Sequence, residues 1–245
     1  MSLVSIRVEW DNSFIKDRQY NSVGLVYMTL FLEDLKNQIV EALQGNLVCI
    51  FLTGSRVRGE ERKGSDYDLA IIVSRINEEV LCKLRRIFLN LTGFSVYLLD
   101  RNDLKTLPTA MFLQFVYSKK LYGDLDYPLP SKEDVANYVN ILRRDWLDRI
   151  RHYLILPHSH EKLASVLLPA LKNVYLCLSY LIFKETSKLP LTRKNVMDFL
   201  KKQENCPSIR LMKILEEWDS CKETYLKNPL PLLLQIEKFY RTLSI

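Results

Sequence analysis

The chain of 245 residues is predicted to be α+β, with a strand-containing first part and an all-α second part. Three observations carry that prediction. Two apolar runs rich in β-branched residues, Leu47–Thr53 and Leu69–Val73, read as buried strands. All seven glycines fall at or before Gly123, whereas eight of the nine prolines fall after residue 120. Helical and strand patterns alternate before the stretch LYGDLDYPLPSKED, and only helical patterns follow it. The expected domains are therefore 1–125 and 126–245.

Taken in order, residues 3–9 alternate apolar and polar and are compatible with an edge strand. Ser22–Leu43 is predicted to be a helix, because Val23, Val26, Leu30, Leu35 and Ile39 recur near helical spacing and Gly45-Asn46 ends it. The strand Leu47–Thr53, a polar loop and a strand from Asp66 to Val73 follow. Asn77-Glu78-Glu79 starts a helix running to about Leu91, with acids in its first turn. Thr92-Gly93 turns the chain into a third strand, Phe94–Leu99. LPTAMFLQFVYSKK reads as a helix with Lys119 and Lys120 at its C-terminus, where cations complement the dipole.

The second part opens on Ser131-x-x-Asp134, a capping-box pattern ahead of a helix to about Ile155. Glu161–Phe183 is apolar nearly all round, so it is expected at the centre of the bundle, kinked or split by Pro169. Helices over Thr192–Gln203, Pro207–Tyr225 and Pro229–Leu243 complete the set, with prolines at or near their starts. Short connections favour an up-down helical bundle.

At 48% hydrophobic and 26% charged residues the composition is that of a globular protein. No run is read as approaching the ~18–20 uncharged residues of a membrane span. The first residues carry acids and lack an apolar signal core, so a cytoplasmic location without membrane attachment is expected. Cys49, Cys82, Cys177, Cys206 and Cys221 are scattered, with no CxxC pair, and are expected as reduced thiols. The formal charge of +6 is compatible with a nucleotide or RNA ligand and equally with a protein that binds no polyanion.

The densest chemistry lies in LVCIFLTGSRVRGEERKGSDYDLAIIV, residues 47–73. Side chains two apart on a strand share a face. If Asp66-Tyr67-Asp68 enters the second strand, both carboxylates project side by side and Tyr67 faces away. Adjacent carboxylates repel unless a cation sits between them, and Mg²⁺ suits such a pair while leaving positions for phosphate and water. Gly54 lets the backbone turn sharply beside a ligand. If Arg56–Arg62 is a short helix, its first N–H groups and the Ser55 hydroxyl form a seat for phosphate oxygens.

GSRVRGEERKGSDYDLAI resembles the signature of the polymerase-beta-like nucleotidyltransferases: an apolar strand, Gly-Ser, a spacer of about ten residues, then Asp-x-Asp opening an apolar strand. It is most similar to the minimal nucleotidyltransferases and the kanamycin-type antibiotic enzymes. The resemblance implies a small mixed sheet with helices on one side, an NTP (ATP by preference), a two-metal Mg²⁺ site, and transfer of a nucleoside monophosphate to an acceptor hydroxyl. By that resemblance Gly54 and Ser55 hold the triphosphate and Asp66 and Asp68 hold metal, while Arg56, Arg58 and Ser65 join the nucleotide-binding set. The acceptor is left open among small molecule, RNA and protein, as is homodimer formation.

One departure stands out. The family carries a third acid on the third strand, and FSVYLLDRNDL places Ser95 there, with Asp100 at the strand's far end. Three readings stay open: Asp100 serves through a bulge or register shift, an acid from the helical half substitutes, or the chain is a weak or inactive nucleotide-binding or regulatory protein. The helical half is similar either to the substrate-binding half of the antibiotic enzymes or to HEPN-type bundles. A toxin–antitoxin-type modifier is therefore a further alternative.

Overall fold

The computed structural model describes residues 22–62, 65–108, 113–116, 118–126, 129–190, 192–203 and 208–245, and the strand expected over 3–9 lies outside them. The described residues group into two compact units. One runs through Leu107 and includes Gln114–Leu129; the other is Pro130–Ile245 with Pro108 and Leu113.

In the first unit, helix α1 spans Ser22–Leu43 and buries Leu35, Ile39 and Leu43, one side chain per helical turn. Strand β1 (Leu47–Thr53) and strand β2 (Tyr67–Val73) follow. Helix α2, Glu78–Phe88, is capped by Asn77, whose side chain accepts from the Val80 N–H at 2.9 Å. Strand β3 (Phe94–Asp100), short helices α3 (Arg101–Thr106) and α4 (Leu113–Val116, of which Gln114 onward belongs to this unit), and strand β4 (Lys119–Gly123) follow.

The strands form a mixed sheet in the order β3-β2-β1-β4. β1 is antiparallel to β2 and β4, and β3 is parallel to β2. β4 corrects the sequence reading. Lys119 and Lys120 do not end a helix; they lie on an edge strand opposite Leu52 and Phe51. The backbone at Gly123 explains the pairing, since a Cβ there would stand 2.0 Å from the Val48 carbonyl oxygen. Charged lysines also suit a sheet edge, where they deter pairing with other chains.

Strand alternation divides the core. Ile50, Leu52, Leu69, Ile71 and Val73 face Leu35, Ile39 and Leu43 of α1 and Val80 and Leu84 of α2. Both long helices thus cover one face. Cys49, Phe51, Ala70 and Ile72 point the other way, toward Leu104 of α3 and Phe115 of α4. Tyr67 packs with the α1/α2 side, so Asp68, its neighbour on the strand, projects from the opposite face.

The second unit contains, among the described residues, α5 (Lys132–Ile155), α6 (His160–Thr186), α7 (Arg193–Leu200), α8 (Ser208–Glu216), α9 (Trp218–Lys227) and α10 (Leu230–Thr242). The capping box at Ser131 and Asp134 is formed. Pro169 lies inside α6 without splitting it, whereas the single helix expected over Pro207–Tyr225 is interrupted at Glu217.

Helix α6 is long and apolar enough to cross a membrane by length and composition, although Lys172 interrupts its uncharged run. Its Leu167, Leu171, Val174, Cys177 and Tyr180 are buried, as in the core helix of a bundle. Asn173 of α6 is buried too, and accepts a hydrogen bond from the Tyr240 hydroxyl at 2.8 Å. Burial pushes the thiols of Cys49 and Cys177 up to about 12, which keeps them protonated.

Candidate active site

The site grows from the end of β1. Gly54 leaves the strand at φ +82°, a conformation that L side chains rarely adopt. A Cβ on Gly54 would lie 1.9 Å from Oδ2 of Asp68. The glycine therefore allows both the turn and the close approach of the carboxylate.

A single helical winding follows rather than the expected helix over Arg56–Arg62. The Glu60 N–H donates to the Ser55 carbonyl at 2.8 Å, and the Gly59 N–H to the Arg56 carbonyl at 3.3 Å. With Gly59 at φ +64°, this is the Schellman pattern that ends a helix. The second glycine stops the winding after one turn. Arg58 reaches back to Glu60, Nε to Oε2 at 3.2 Å.

Asp68 sits within β2, opposite Thr53 of β1 and Ser95 of β3. The three therefore share one level of the sheet and one face. β2 begins at Tyr67, so Asp66 precedes the strand by one residue and is exposed. The serine-bearing turn and the Asp-x-Asp segment are brought together through Gly54 and Asp68.

Other expected site residues are placed elsewhere. Asp100 pairs with Val73, five positions beyond the level of Asp68, or about 16 Å along the strand. Its carboxylate caps α3, accepting from the N–H groups of Asn102 at 2.7 Å, Asp103 at 3.0 Å and Ile76 at 3.3 Å. The bond from the Asp103 amide, with those from Asn102 and Ile76 and the nearby Arg75 charge, holds its carboxyl below the ordinary range. Asp100 is a helix cap, and no bulge carries it to the Asp68 level: the register from Tyr67 to Val73 runs unbroken against Phe94 to Asp100.

Arg56 and Ser65 are also engaged differently from a phosphate-facing role. The Arg56 guanidinium donates to the Ser65 and Asp66 carbonyls and lies 3.9 Å from the centre of the Tyr67 ring. Ser65 Oγ accepts from the Arg62 N–H at 2.8 Å. Lys120 pairs with Asp124 at 2.5 Å. The Arg56–Tyr67 stack and Thr53 went unread in the sequence. Alternation alone separates Tyr67 from Asp68, but nothing local in the sequence announces the partner of Arg56.

Among the described residues no group of three or more His, Cys, Asp or Glu side chains could hold a metal ion by itself. The available donors are Asp66 and Asp68, two hard carboxylates beside a turn that a side chain on Gly54 would obstruct. That set fits Mg²⁺, which takes one or two protein carboxylates and completes its shell with phosphate and water.

The chain is similar to known proteins in sequence over part of its length and in fold. Residues 37–123 match the family model described as "Polymerase beta, Nucleotidyltransferase". No curated protein sequence matches the chain. Among solved structures, spectinomycin adenyltransferase AAD(9) from Enterococcus faecialis, with ATP and spectinomycin, aligns over 86% of this chain and 99% of that one at 14% identity and TM-score 0.51. A toxin–antitoxin MntA–HpeT mutant aligns over 49% of this chain and 98% of that one, at 18% identity and TM-score 0.31. A toxin–antitoxin structure with AMP-PNP aligns over 47% and 98%, at 22% identity and TM-score 0.29. The match to the polymerase-beta nucleotidyltransferase model lies over residues 37–123, which hold the four strands of the sheet and the Gly54–Asp68 contact.

Proposed function

We propose that this protein is an Mg²⁺-dependent nucleotidyltransferase that moves a nucleoside monophosphate, AMP from ATP, onto an acceptor hydroxyl. The observation that carries the reading is the contact between the Gly54 turn and the Asp68 carboxylate, where a Cβ would come within 1.9 Å of Oδ2. It sets a phosphate-seating turn against an acid suited to a divalent ion.

In this reading the Ser55 hydroxyl and the first N–H groups of the turn take phosphate oxygens. Arg58 offsets phosphate charge, and Asp66 and Asp68 hold the cation. Bound Mg²⁺ would neutralise charge on the triphosphate and on the leaving pyrophosphate. The acceptor hydroxyl attacks the α-phosphorus, and the bond to pyrophosphate breaks. On β3 the residue level with Asp68 is Ser95, whose hydroxyl cannot take the acceptor's proton as a base at neutral pH.

That last observation favours a second reading, a protein of the same fold that binds nucleotide and turns over slowly or not at all. Both readings are tested by incubating the full chain with α-labelled ATP, Mg²⁺ and an acceptor panel that includes the protein itself, RNA and spectinomycin. Label transfer that Asp66→Asn abolishes supports the enzyme. Asp66-dependent ATP binding without transfer supports the second reading. ATP binding and transfer indifferent to Asp66 and Asp68 would sink both.

A further inference from the structure

This inference rests on the two-aspartate reading above and concerns what holds Asp66 in place. Asp68 is fixed by strand pairing on both sides. Asp66 lies outside that register, since β2 begins at Tyr67. Its backbone is gripped instead by Arg56. Nε of Arg56 donates to the Ser65 carbonyl at 3.0 Å and to the Asp66 carbonyl at 3.2 Å, and Nη2 donates to the Ser65 carbonyl at 2.5 Å. Ser65 is tied from its other side, with Oγ accepting from the Arg62 N–H at 2.8 Å and its own N–H donating to the Arg62 carbonyl at 2.9 Å.

The guanidinium is flat and offers its donors as a rigid fork, so a ring beneath it sets where the fork points. That ring is Tyr67, whose centre is 3.9 Å away. Tyr67 in turn stacks on Phe94 of β3, with ring centres 5.4 Å apart. Arg56, Ser65, Tyr67 and Phe94 line one hollow with Phe31 of α1. All of this lies on the α1/α2 side of the sheet, and Asp68 projects from the opposite side. A guanidinium held over Tyr67 faces away from phosphates bound beside Asp68.

We propose that Arg56 is a positioning residue: stacked on Tyr67, it clamps the Ser65 and Asp66 carbonyls from behind the sheet, so that the Asp66 carboxylate meets the cation beside Asp68, and it is not a ligand of the triphosphate. The clamp reaches from the Gly-Ser turn to the Asp-x-Asp segment and locks one half of the site to the other. Lysine in its place would keep the charge and lose the fork and the stack.

The test is nucleotide-free Mn²⁺ binding by the full chain, titrated by electron paramagnetic resonance, for wild type, Arg56→Lys, Tyr67→Leu and Tyr67→Phe, with thermal melts confirming that each is folded. Losing an outer support of a metal ligand weakens metal binding by roughly 10- to 100-fold. Arg56→Lys is expected in that range. Tyr67→Leu, which leaves the arginine intact, is expected to weaken binding by less, and Tyr67→Phe, which restores the ring, to return it to within about twofold. Wild-type Mn²⁺ affinity in both Arg56→Lys and Tyr67→Leu overturns the clamp and leaves the nucleotidyltransferase reading intact. A wild type that binds no Mn²⁺ overturns the two-aspartate reading and the clamp with it. Should Arg56→Lys not fold, Tyr67→Leu decides by the same criterion.

Discussion

Asp68 and Asp100 stand at opposite ends of the same paired strands, and their surroundings give one side chain two uses. Asp68 lies against a glycine turn with no room for a Cβ, level with Thr53 and Ser95. Asp100 receives backbone N–H groups from Ile76, Asn102 and Asp103, and its own N–H is held by the Asp103 carboxylate at 3.0 Å. A carboxylate surrounded by fixed amides completes a helix terminus. In the proposed reading, one set beside the Gly54 turn holds a cation. The three backbone N–H groups aimed at Asp100 identify it as a cap, a role that its place at the end of a strand does not announce.

The largest expected difference between the two ends is in activity. Asp68→Asn should lower nucleotidyl transfer, or nucleotide-free Mn²⁺ affinity, by at least about a hundredfold, beyond what supporting residues cost. Asp100→Asn should leave both within about twofold. Equal losses in the two variants would erase the distinction.

The comparison sharpens at Ser95, the β3 residue level with Asp68. Ser95→Asp puts a carboxylate at that level, and general bases contribute about 10²–10⁴-fold when well placed. An increase in transfer rate, measured with any acceptor that the wild type labels, is the expected outcome. A decrease would mean that the site at this level is built around a hydroxyl.

A smaller effect is expected at Gly54. Gly54→Ala forces a side chain into φ +82° and against Asp68, with a strain of about 1–3 kcal/mol. Melting temperature and Mn²⁺ affinity should fall together, because the same clash displaces the carboxylate. A variant with wild-type affinity would show that the Asp68 carboxylate need not stay beside the turn.

The smallest effect belongs to the cap. Amide hydrogen bonds lower the carboxyl pKa of Asp100 in the folded protein. Its contribution is therefore fully present above the unfolded carboxyl's pKa and is lost as pH falls through the lower, folded value. Asp100→Asn should cost a little stability at pH 7 in urea melts, and the gap to wild type should close in strong acid. A gap independent of pH would assign the effect to packing.

Much of the first unit was legible in the residues themselves. Leu47–Thr53 and Leu69–Val73 are short apolar runs too brief for helices, and the Ser22–Leu43 periodicity and the Asn77 cap follow from local rules. β4 was not legible. Lys119–Gly123 pairs along its length with a strand some seventy residues earlier in the chain, and no local pattern encodes a partner so remote. The break at Glu217 between α8 and α9 was hidden in the same way, within a stretch whose spacing reads as one helix.

The candidate site divides along the same line. Sequence alone determined that a Gly-Ser turn and an Asp-x-Asp pair flank a short loop, that the third strand carries Ser95 near its start, and that a second, helical part follows, because each depends on residue type and spacing. Tertiary structure decided that Asp100 caps a helix far from Asp68, and that Arg56 lies behind the sheet on Tyr67. Which side chain meets which carbonyl or amide depends on strand register and sheet face, and these are set only when the strands pair.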